Sequence, residues 1–377
     1  MSSTGSGRHR FLSVSRPRGV PSSIGSMKPA HTGHQAGAAE AIVTRLEDGA
    51  SAAGHRSPST VSGSTDVSAA MALGQAILDN LGQVLLGAHD ALHAAAIATL
   101  SGGHLLIEDV PGVGKTVLAR ALATSLGVEL SRIQGHPDLL PTDVTGVSVF
   151  SPDTSNWDFR PGPVFAHVVL VDELNRTPPR TQSALLETME ERQVTVDGES
   201  WPLPEPHLVI ATQNPHSQRG TFPLVESQLD RFAIGTPIGY PDHAHEAQLA
   251  LHQGGKYALA SLQPVCTPET WKEAQDATES VLVSPAVAQY AVAICRASRT
   301  APGVLLGASP RAAIWLIRTA QAHAILSSRS YVVPGDVKAV AIGCLAHRII
   351  LDDGDERIGH AVHVVRGLLE STPTPRP

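Results

Sequence analysis

Short, uninterrupted apolar runs alternate with helical periods through the first half of the chain. Residues 76–100 carry apolar side chains at helical spacing, with an interruption near Gly87. Buried strands are predicted at 103–107, 168–171 and 208–211. Helices are predicted between them, at 116–126 and 179–192. Strands that are apolar throughout and separated by helices are typical of a parallel sheet covered on both faces. This half of the chain therefore predicts an α/β fold.

Two polar hairpins interrupt this pattern, and a helical region follows it. The hairpins cover 144–159 and 193–202, the second with Asp197-Gly198 at its turn. After residue 241 strand signals become sparse, and helical periods dominate up to about residue 372. The pattern therefore predicts an αβα domain and a smaller C-terminal helical domain, at 71–241 and 242–377.

The first 70 residues differ in composition from the rest. Ser, Gly, Ala, His and Pro dominate, and seven basic against four acidic side chains give +3, which leaves −10 for the rest because the total is −7. A segment of this composition buries too little apolar surface to offset its ordering entropy, so residues 1–70 are predicted to be disordered. They are either a basic tether for nucleic acid or an acidic partner or, the interpretation we favour, a dispensable tail or the result of a misplaced start codon.

The composition of the chain excludes several classes of protein. The three cysteines, Cys266, Cys295 and Cys344, lie far apart with no CxxC pair, which excludes a disulfide framework or a zinc knuckle. No apolar run approaches the roughly 18 residues of a membrane span. The N-terminus also lacks the apolar stretch of about 7–15 residues that a secretory signal needs. We therefore expect a cytoplasmic protein without a membrane span.

The segment 109–116 carries the strongest chemical signal, because it lies between a predicted strand and a predicted helix. Gly112 and Gly114 allow the backbone to curl so that its N–H groups approach phosphate oxygens. Lys115 can neutralise phosphate charge and the Thr116 hydroxyl can bind Mg²⁺. The residue types and their spacing predict a phosphate-binding loop.

Polar residues follow the two later strands at the points where these strands end. Asp172 and Glu173 come directly after one strand, and Asn214 follows the next. Ligands collect at the carboxyl ends of parallel strands, so these side chains are expected beside the phosphate loop. There Asp172 would orient Mg²⁺ through water, Glu173 would polarise the attacking water, and Asn214 could hold that water or the γ-phosphate. Taken alone, Asn214-Pro215 rather indicates the start of a turn.

Together these segments resemble the MoxR family of AAA+ ATPases over about 71–365. The resemblance rests on the phosphate loop (Walker A), on 170–176 (Walker B), and on 211–215, 228–232 and 307–312 in that order. The linking segments 137–141, 159–165 and 182–204 match as well. The chain departs from the family pattern at Asp109, which replaces the first glycine of the strict loop, and at Gly135-His136, where a bulky residue is expected.

The resemblance implies an AAA+ nucleotide-binding domain, a helical lid and a hexameric ring that uses ATP and Mg²⁺. The residues implied to hold the nucleotide are Pro111, Gly112, Val113, Gly114, Lys115, Thr116, Val117 and Asp172, with Thr116 and Asp172 also on Mg²⁺. The implied catalytic residues are Glu173, Asn214 as sensor 1, Arg231 as the arginine finger and Arg311 as sensor 2. Whether Arg311 serves its own or a neighbouring nucleotide stays open. Residues 84–87 stand where the family packs the adenine.

The resemblance favours a chaperone-like motor that remodels or matures a partner protein, with a von Willebrand factor A domain protein or a metalloenzyme as the implied partner. A chelatase-like ATPase subunit and a nucleic-acid-dependent motor are alternatives. The charge of −10 outside the tail, together with Asp197 and Glu199 in the second hairpin, disfavours tracking a polyanion. A ring scaffold that does not hydrolyse ATP is disfavoured because Lys115, Glu173 and the other implied catalytic residues are intact. The client and the biological process are not readable from the sequence.

Overall fold

The computed structural model describes residues 66–153, 155–214, 220–251, 256–352 and 358–375, which belong to one compact unit. The predicted disordered tail lies outside the described residues as far as residue 65. The first helix begins at Val67, earlier than the predicted start of the folded domain. It begins there because the Asp66 side chain accepts hydrogen bonds from the N–H groups of Ser68 (2.9 Å) and Ala69 (3.3 Å).

The helices and strands are numbered in chain order. The helices are α1 Val67–Val84, α2 His89–Ser101, α3 Lys115–Ser125, α4 Pro141–Thr145, α5 Pro179–Glu191, α6 Glu226–Leu229, α7 His243–Leu251, α8 Lys256–Ser261, α9 Pro268–Glu279, α10 Pro285–Ser298, α11 Pro310–Leu326, α12 Pro334–Leu345 and α13 Ile358–Ser371. The strands are β1 Leu105–Glu108, β2 Leu130–Gln134, β3 Gly146–Ser151, β4 Asn156–Pro161, β5 Val168–Asp172, β6 Gln193–Val196, β7 Glu199–Pro202, β8 Leu208–Gln213, β9 Ile234–Thr236, β10 Val304–Leu306 and β11 Ile350–Leu351. Within the described ranges, no helix combines the length and the apolar character that crossing a membrane requires.

A five-stranded sheet in the order β2-β5-β8-β1-β9 forms the centre of the fold, and all of its pairings are parallel. The prediction of a parallel sheet built on β1, β5 and β8 is therefore confirmed. The two edge strands were not predicted. β2 includes Ser131, Arg132 and Gln134, and β9 has 3 residues, so neither forms the continuous apolar run of a central strand.

The sheet separates two hydrophobic clusters. Leu105 and Ile107 of β1 belong to one cluster, and Leu106 belongs to the other. β5 shows the same alternation, with Leu170 in the first cluster and Val171 in the second. Successive side chains of a strand point to opposite faces, so both faces of the sheet are covered. This is the expected αβα arrangement.

Both predicted hairpins are present. β3 pairs antiparallel with β4, and β6 pairs antiparallel with β7. Asp197 and Gly198 adopt φ values of +53° and +85°, as a two-residue turn with both central residues left-handed requires. The rings of Phe159 in β4 and Trp201 in β7 stack with their centroids 4.6 Å apart. The two hairpins are therefore in direct contact.

The predicted C-terminal helical lid is present, and it packs against the first two helices. The Trp271 indole N–H in α9 donates to the carbonyl oxygen of Thr99 in α2 (3.0 Å). Leu100, Trp271 and Leu316 belong to one buried cluster. A short antiparallel ribbon of β10 and β11, which was not predicted, lies within the helical region. The domain boundary at 241/242 stays a prediction, because the core is continuous across the two regions.

Replacing Trp271 should test how much this contact contributes to stability. Trp271 is fully buried, so Trp271→Ala is expected to lower the free energy of unfolding by about 3–5 kcal/mol. Trp157, which is 71% exposed on β4, provides the matched control, and Trp157→Ala should change it by about 0.5 kcal/mol or less. Urea unfolding followed by circular dichroism measures both. Equal losses in the two variants would contradict the burial of Trp271 between the lid and α2.

Candidate active site

The phosphate loop joins the carboxyl end of β1 to the first turn of α3. Gly112 and Gly114 have φ values of +90° and +105°, which residues that carry a Cβ rarely adopt. A Cβ on Gly112 would meet no atom within 4 Å. The need for a glycine at this position therefore comes from the backbone conformation and not from a lack of room for a side chain. The first N–H groups of α3 have no partner within the helix, and they form the positive end of its dipole. The loop therefore has the features of an anion site.

Asp109 has a structural role that explains its departure from the glycine of the strict pattern. Its Oδ2 accepts hydrogen bonds from the N–H groups of Ile238 (2.8 Å) and Gly239 (2.6 Å), which follow β9. Its Oδ1 accepts from the N–H of Val110 (2.7 Å). The carboxylate thus ties the start of the loop to the segment that leads into the helical region. Sequence reasoning missed this role because the partners are distant along the chain.

Lys115 is half-buried at the start of α3, and its Nζ donates to the carbonyl oxygen of Asp109 (2.5 Å). Desolvation lowers the pKa of Lys115, while the charges of Asp109, Asp172 and Glu173 act in the opposite direction. The ammonium group therefore lies in the field of Asp172, which ends β5, and of Glu173, which follows it. The structure brings these predicted site residues together.

Thr212, at the carboxyl end of β8, links the two acids. Its Oγ1 donates to Asp172 Oδ1 (2.8 Å) and accepts from the N–H of Glu173 (2.9 Å). Thr212 is fully buried, and its hydrogen bonds orient both residues. The other carboxylate oxygen of Asp172, Oδ2, accepts from Arg132 Nη2 of β2 (2.6 Å). Sequence reasoning quoted Thr212 within a motif but assigned it no role.

Glu173 directly follows β5, with a left-handed φ of +56°. A non-glycine residue in this region costs about 1–3 kcal/mol, and such residues concentrate at functional sites. Its Oε2 pairs with Arg176 Nη1 (2.9 Å). Gly135, which departs from the family pattern, lies against this turn, because a Cβ there would approach the carbonyl oxygen of Glu173 to 2.2 Å. The close approach explains a glycine at position 135.

Asn214 lies at the same edge of the sheet, directly after β8. Its carbonyl oxygen accepts from Asn175 Nδ2 (3.3 Å), a residue of the turn that follows Glu173. β8 pairs with both β1 and β5, so Asn214 is placed next to the ends of the strands that carry the loop and the acids. This position agrees with the one expected from the sequence.

Arg231 and Arg311 are not at this edge. Arg231 precedes β9, whose first residue Ile234 pairs with Leu105, the first residue of β1. Arg231 therefore lies towards the amino edge of the sheet, whereas the phosphate loop follows the carboxyl edge. Both arginines contact Glu190 of α5: Arg231 Nη2 lies 3.2 Å from its Oε2, and Arg311 Nη2 pairs with its Oε1.

Glu108, the last residue of β1, is a titratable group that sequence reasoning did not single out. Burial raises the pKa of Glu108 to about 8, so the folded protein favours its neutral form near neutral pH. It pairs in register with Gln213 of β8 and immediately precedes the phosphate loop. Its proximity to the loop is the only sequence signal that could have indicated it.

Two family models match parts of the chain. Residues 104–234 match the model of the ATPase family associated with various cellular activities (AAA). Residues 296–364 match the AAA lid domain. The first match contains the phosphate loop, both acids and the finger position, and the second contains the sensor 2 position.

Several known proteins are similar to this chain over most of its length. The chain is 43% identical to the uncharacterized protein YeaC of Bacillus subtilis, over 80% of this chain and 95% of that protein. It is 37% identical to Chaperone MoxR1 of Mycobacterium tuberculosis, over 71% of this chain and 73% of that protein. Among solved structures, a predicted ATPase from Cytophaga hutchinsonii superposes with a TM-score of 0.74 at 33% identity, covering 82% of this chain and 97% of that one.

The double role of Thr212 predicts a kinetic defect. Thr212→Val keeps the shape but removes the hydroxyl, so Asp172 and Glu173 lose their shared partner, and ATP turnover should fall by roughly tenfold, as expected for a lost buried hydrogen bond. Thr212→Ser, which keeps the hydroxyl, should retain most of the activity. Steady-state phosphate release measures both, and unfolding curves check that the variants are folded. A valine variant with wild-type turnover would exclude this role.

The partly buried Glu108 predicts a pH dependence of stability. Its pKa is raised from 4.5 to about 8, so between these values the folded chain holds a proton that the unfolded chain has released. The contribution of Glu108 to the free energy of unfolding is therefore complete below about pH 4.5 and is lost as the pH rises towards 8. In urea unfolding between about pH 5 and 8, Glu108→Gln should lose less stability than the wild type. The exposed Glu129→Gln should follow the wild-type curve, and identical slopes for Glu108→Gln and the wild type would contradict the prediction.

Proposed function

The chain belongs to the MoxR family of AAA+ ATPases, and from that premise we propose that it is a Mg²⁺-dependent, ring-forming motor that remodels a partner protein. It hydrolyses ATP to ADP and phosphate, as its family does. The observation that carries the proposal is the convergence of Lys115, Asp172 and Glu173 at one edge of the sheet. Phosphoryl transfer needs little besides correctly placed charge and an oriented water, and these residues can supply both.

The chain's own groups would bind the triphosphate in the phosphate loop. The segment 111–117 offers backbone N–H groups, with Gly112 and Gly114 in the conformations that let them converge. Lys115 adds a positive charge. The Leu85 side chain would lie 3.8 Å from a Cβ on Gly114, which places the segment 84–87 beside the loop and supports its role in packing the adenine.

Thr116 and Asp172 fit a Mg²⁺ site in their donor chemistry, since hydroxyl and carboxylate oxygens are ligands of this hard cation. Asp172 already accepts from a guanidinium group, that of Arg132, so its carboxylate attracts cations at this position. When bound, Mg²⁺ would offset the negative charge of the phosphates. Glu173 would accept a proton from the attacking water, and Asn214 would orient that water.

Arg231 and Arg311 would act on the nucleotide of a neighbouring subunit. The parallel strands separate them from the phosphate loop of their own chain, because they lie towards the amino edge of the sheet and the loop follows the carboxyl edge. A finger supplied by another subunit makes hydrolysis depend on assembly, and it contributes about 10³–10⁵-fold in rate in ATPases that use one. The hexameric ring itself is inferred from the family resemblance.

The proposal of chaperone-like activity rests on the family and on the relative named Chaperone MoxR1. A von Willebrand factor A domain protein as partner, and maturation of a metalloenzyme as one outcome, are inferred from the family resemblance alone. The contacting hairpins β3–β4 and β6–β7 offer a surface for such a partner. Their tips include Asp153, Asp197 and Glu199, and negative charge there opposes binding of nucleic acid.

A mixing experiment tests the proposed composite site. Lys115→Ala should abolish productive binding in its own loop, and Arg231→Ala should reduce turnover by about a thousandfold or more. Subunits of the two variants complement each other, because the first still supplies a finger and the second still supplies a loop. Turnover should therefore recover in the mixture, when phosphate release is followed as a function of protein concentration.

The control for the mixing experiment is the Lys115→Ala variant mixed with a double variant that lacks both functional groups, Lys115→Ala combined with Arg231→Ala. This mixture contains no intact loop and should stay inactive. Failure of the two single variants to recover activity together, at concentrations where the wild type is assembled and active, would reject the composite site.

A further inference from the structure

Glu190 connects the two arginines that we place at the subunit interface. It lies at the end of α5, and each of its carboxylate oxygens contacts a different guanidinium group. Oε1 accepts from Arg311 Nη2, and Oε2 lies 3.2 Å from Arg231 Nη2. One side chain therefore spans residues that belong to separate regions of the sequence, one before β9 and one in α11.

Further contacts hold the same two arginines in place. Arg231 Nη1 also donates to the carbonyl oxygen of Leu186, one turn earlier in α5. Arg311 lies in the first turn of α11, which the Ser309 side chain caps through the N–H of Ala312 (3.1 Å). Ser309 Oγ also donates to Oδ2 of Asp230, the residue before Arg231 (2.8 Å). The helix that carries Arg311 is thus attached to the segment that carries Arg231.

A buried ion pair strengthens this attachment. Arg348 is 5% exposed, and its Nε donates to Asp230 Oδ1 (2.8 Å). Arg348 follows α12, so Asp230 accepts hydrogen bonds from two parts of the helical lid at once. Removing one partner of such a pair leaves a charge without its partner and is costly, so the pair stabilises the junction between the lid and residue 230.

The two ion pairs of Glu190 are weak enough for another anion to replace the Glu190 carboxylate. The side chains of Glu190, Arg231 and Arg311 are 36%, 27% and 42% exposed, and ion pairs at such positions contribute only about 0–1 kcal/mol. Arg231 Nε is buried and has no hydrogen-bond partner among the described residues. A phosphate group carries more charge than one carboxylate and accepts more hydrogen bonds, so it can replace Glu190 as the partner of both arginines.

We infer that Glu190 is a positioning residue that holds Arg231 and Arg311 at a fixed separation, ready for the terminal phosphate of a neighbouring subunit's nucleotide. Without a shared anion the two cations repel each other, and each side chain has several rotamers of similar energy. Glu190 removes this freedom before the phosphate arrives. This inference rests on the proposed function, because it takes the neighbouring nucleotide as the target.

Glu190→Gln tests this role with minimal change of shape. The amide keeps one acceptor oxygen but replaces the other with an NH₂ group that cannot accept from an arginine, so one guanidinium loses its partner. We expect kcat to fall on the order of tenfold with little change in KM for ATP, because misplaced catalytic groups slow the reaction without weakening binding in the loop. Glu187→Gln is the matched control: Glu187 lies one turn earlier in α5 and lines the same surface cleft as Arg231.

The mixture of Lys115→Ala and Arg231→Ala subunits separates positioning from a general structural effect. Glu190→Gln should lower the recovered turnover when it is placed on the Lys115→Ala subunit, which supplies the finger. It should have no effect on the Arg231→Ala subunit, which supplies the loop. A merely structural role would affect the loop of its own chain, and the defect would follow the Arg231→Ala subunit instead.

The inference would also be overturned, with the proposed function intact, if Glu190→Gln did not alter the recovered turnover on either subunit, or if it lowered that turnover equally on both. Loss of assembly by Glu190→Gln, measured by sedimentation, would also overturn it, because Glu190 would then maintain the interface and not the arginines. If the mixture without Glu190→Gln shows no recovery although the wild type is active, the composite site fails, and the inference fails with it.

Discussion

The common direction of the five central strands is the constraint on which the rest of this structure depends. Parallel strands place every loop that follows a strand at one edge and every segment that precedes one at the other. The phosphate loop, Glu173 and Asn214 follow strands, Asp172 is the last residue of one, and Arg231 precedes one. Arg231 is therefore separated within one chain from the groups at the carboxyl edge, and the proposed composite site would take a second copy of the chain to bring them together.

The two acids at the end of β5 are held by polar partners from neighbouring segments. Asp172 and Glu173 pair with Arg132 and Arg176, and Asp172 also accepts a charge-assisted hydrogen bond from the Thr212 hydroxyl. These ion pairs are partly exposed, so their individual contributions to stability are small. These contacts orient the two carboxylates but are weak enough to be replaced. This suits a site that must bind and release a highly charged nucleotide in each cycle.

The sequence was sufficient for the central strands and for the loop between β1 and α3, and insufficient for the side chains that hold the candidate site together. β1, β5 and β8 are buried on both faces and therefore read as apolar runs, and the spacing around Lys115 is itself a chemical signal. The edge strands β2 and β9 are too polar or too short for such a run. Asp109, Thr212 and Glu190 act through contacts between residues far apart in the chain, and no local period encodes those contacts.

Asp109 also bears on how phosphate loops are recognised. The strict motif demands glycine at that position, yet the backbone of Asp109 is not left-handed, and its side chain accepts three backbone hydrogen bonds. Glycine at the first position is therefore dispensable where an acid ties the loop to the chain beyond the last strand of the sheet. A motif search that insists on glycine there would pass over this chain, whereas one that also allows an acid would recover it.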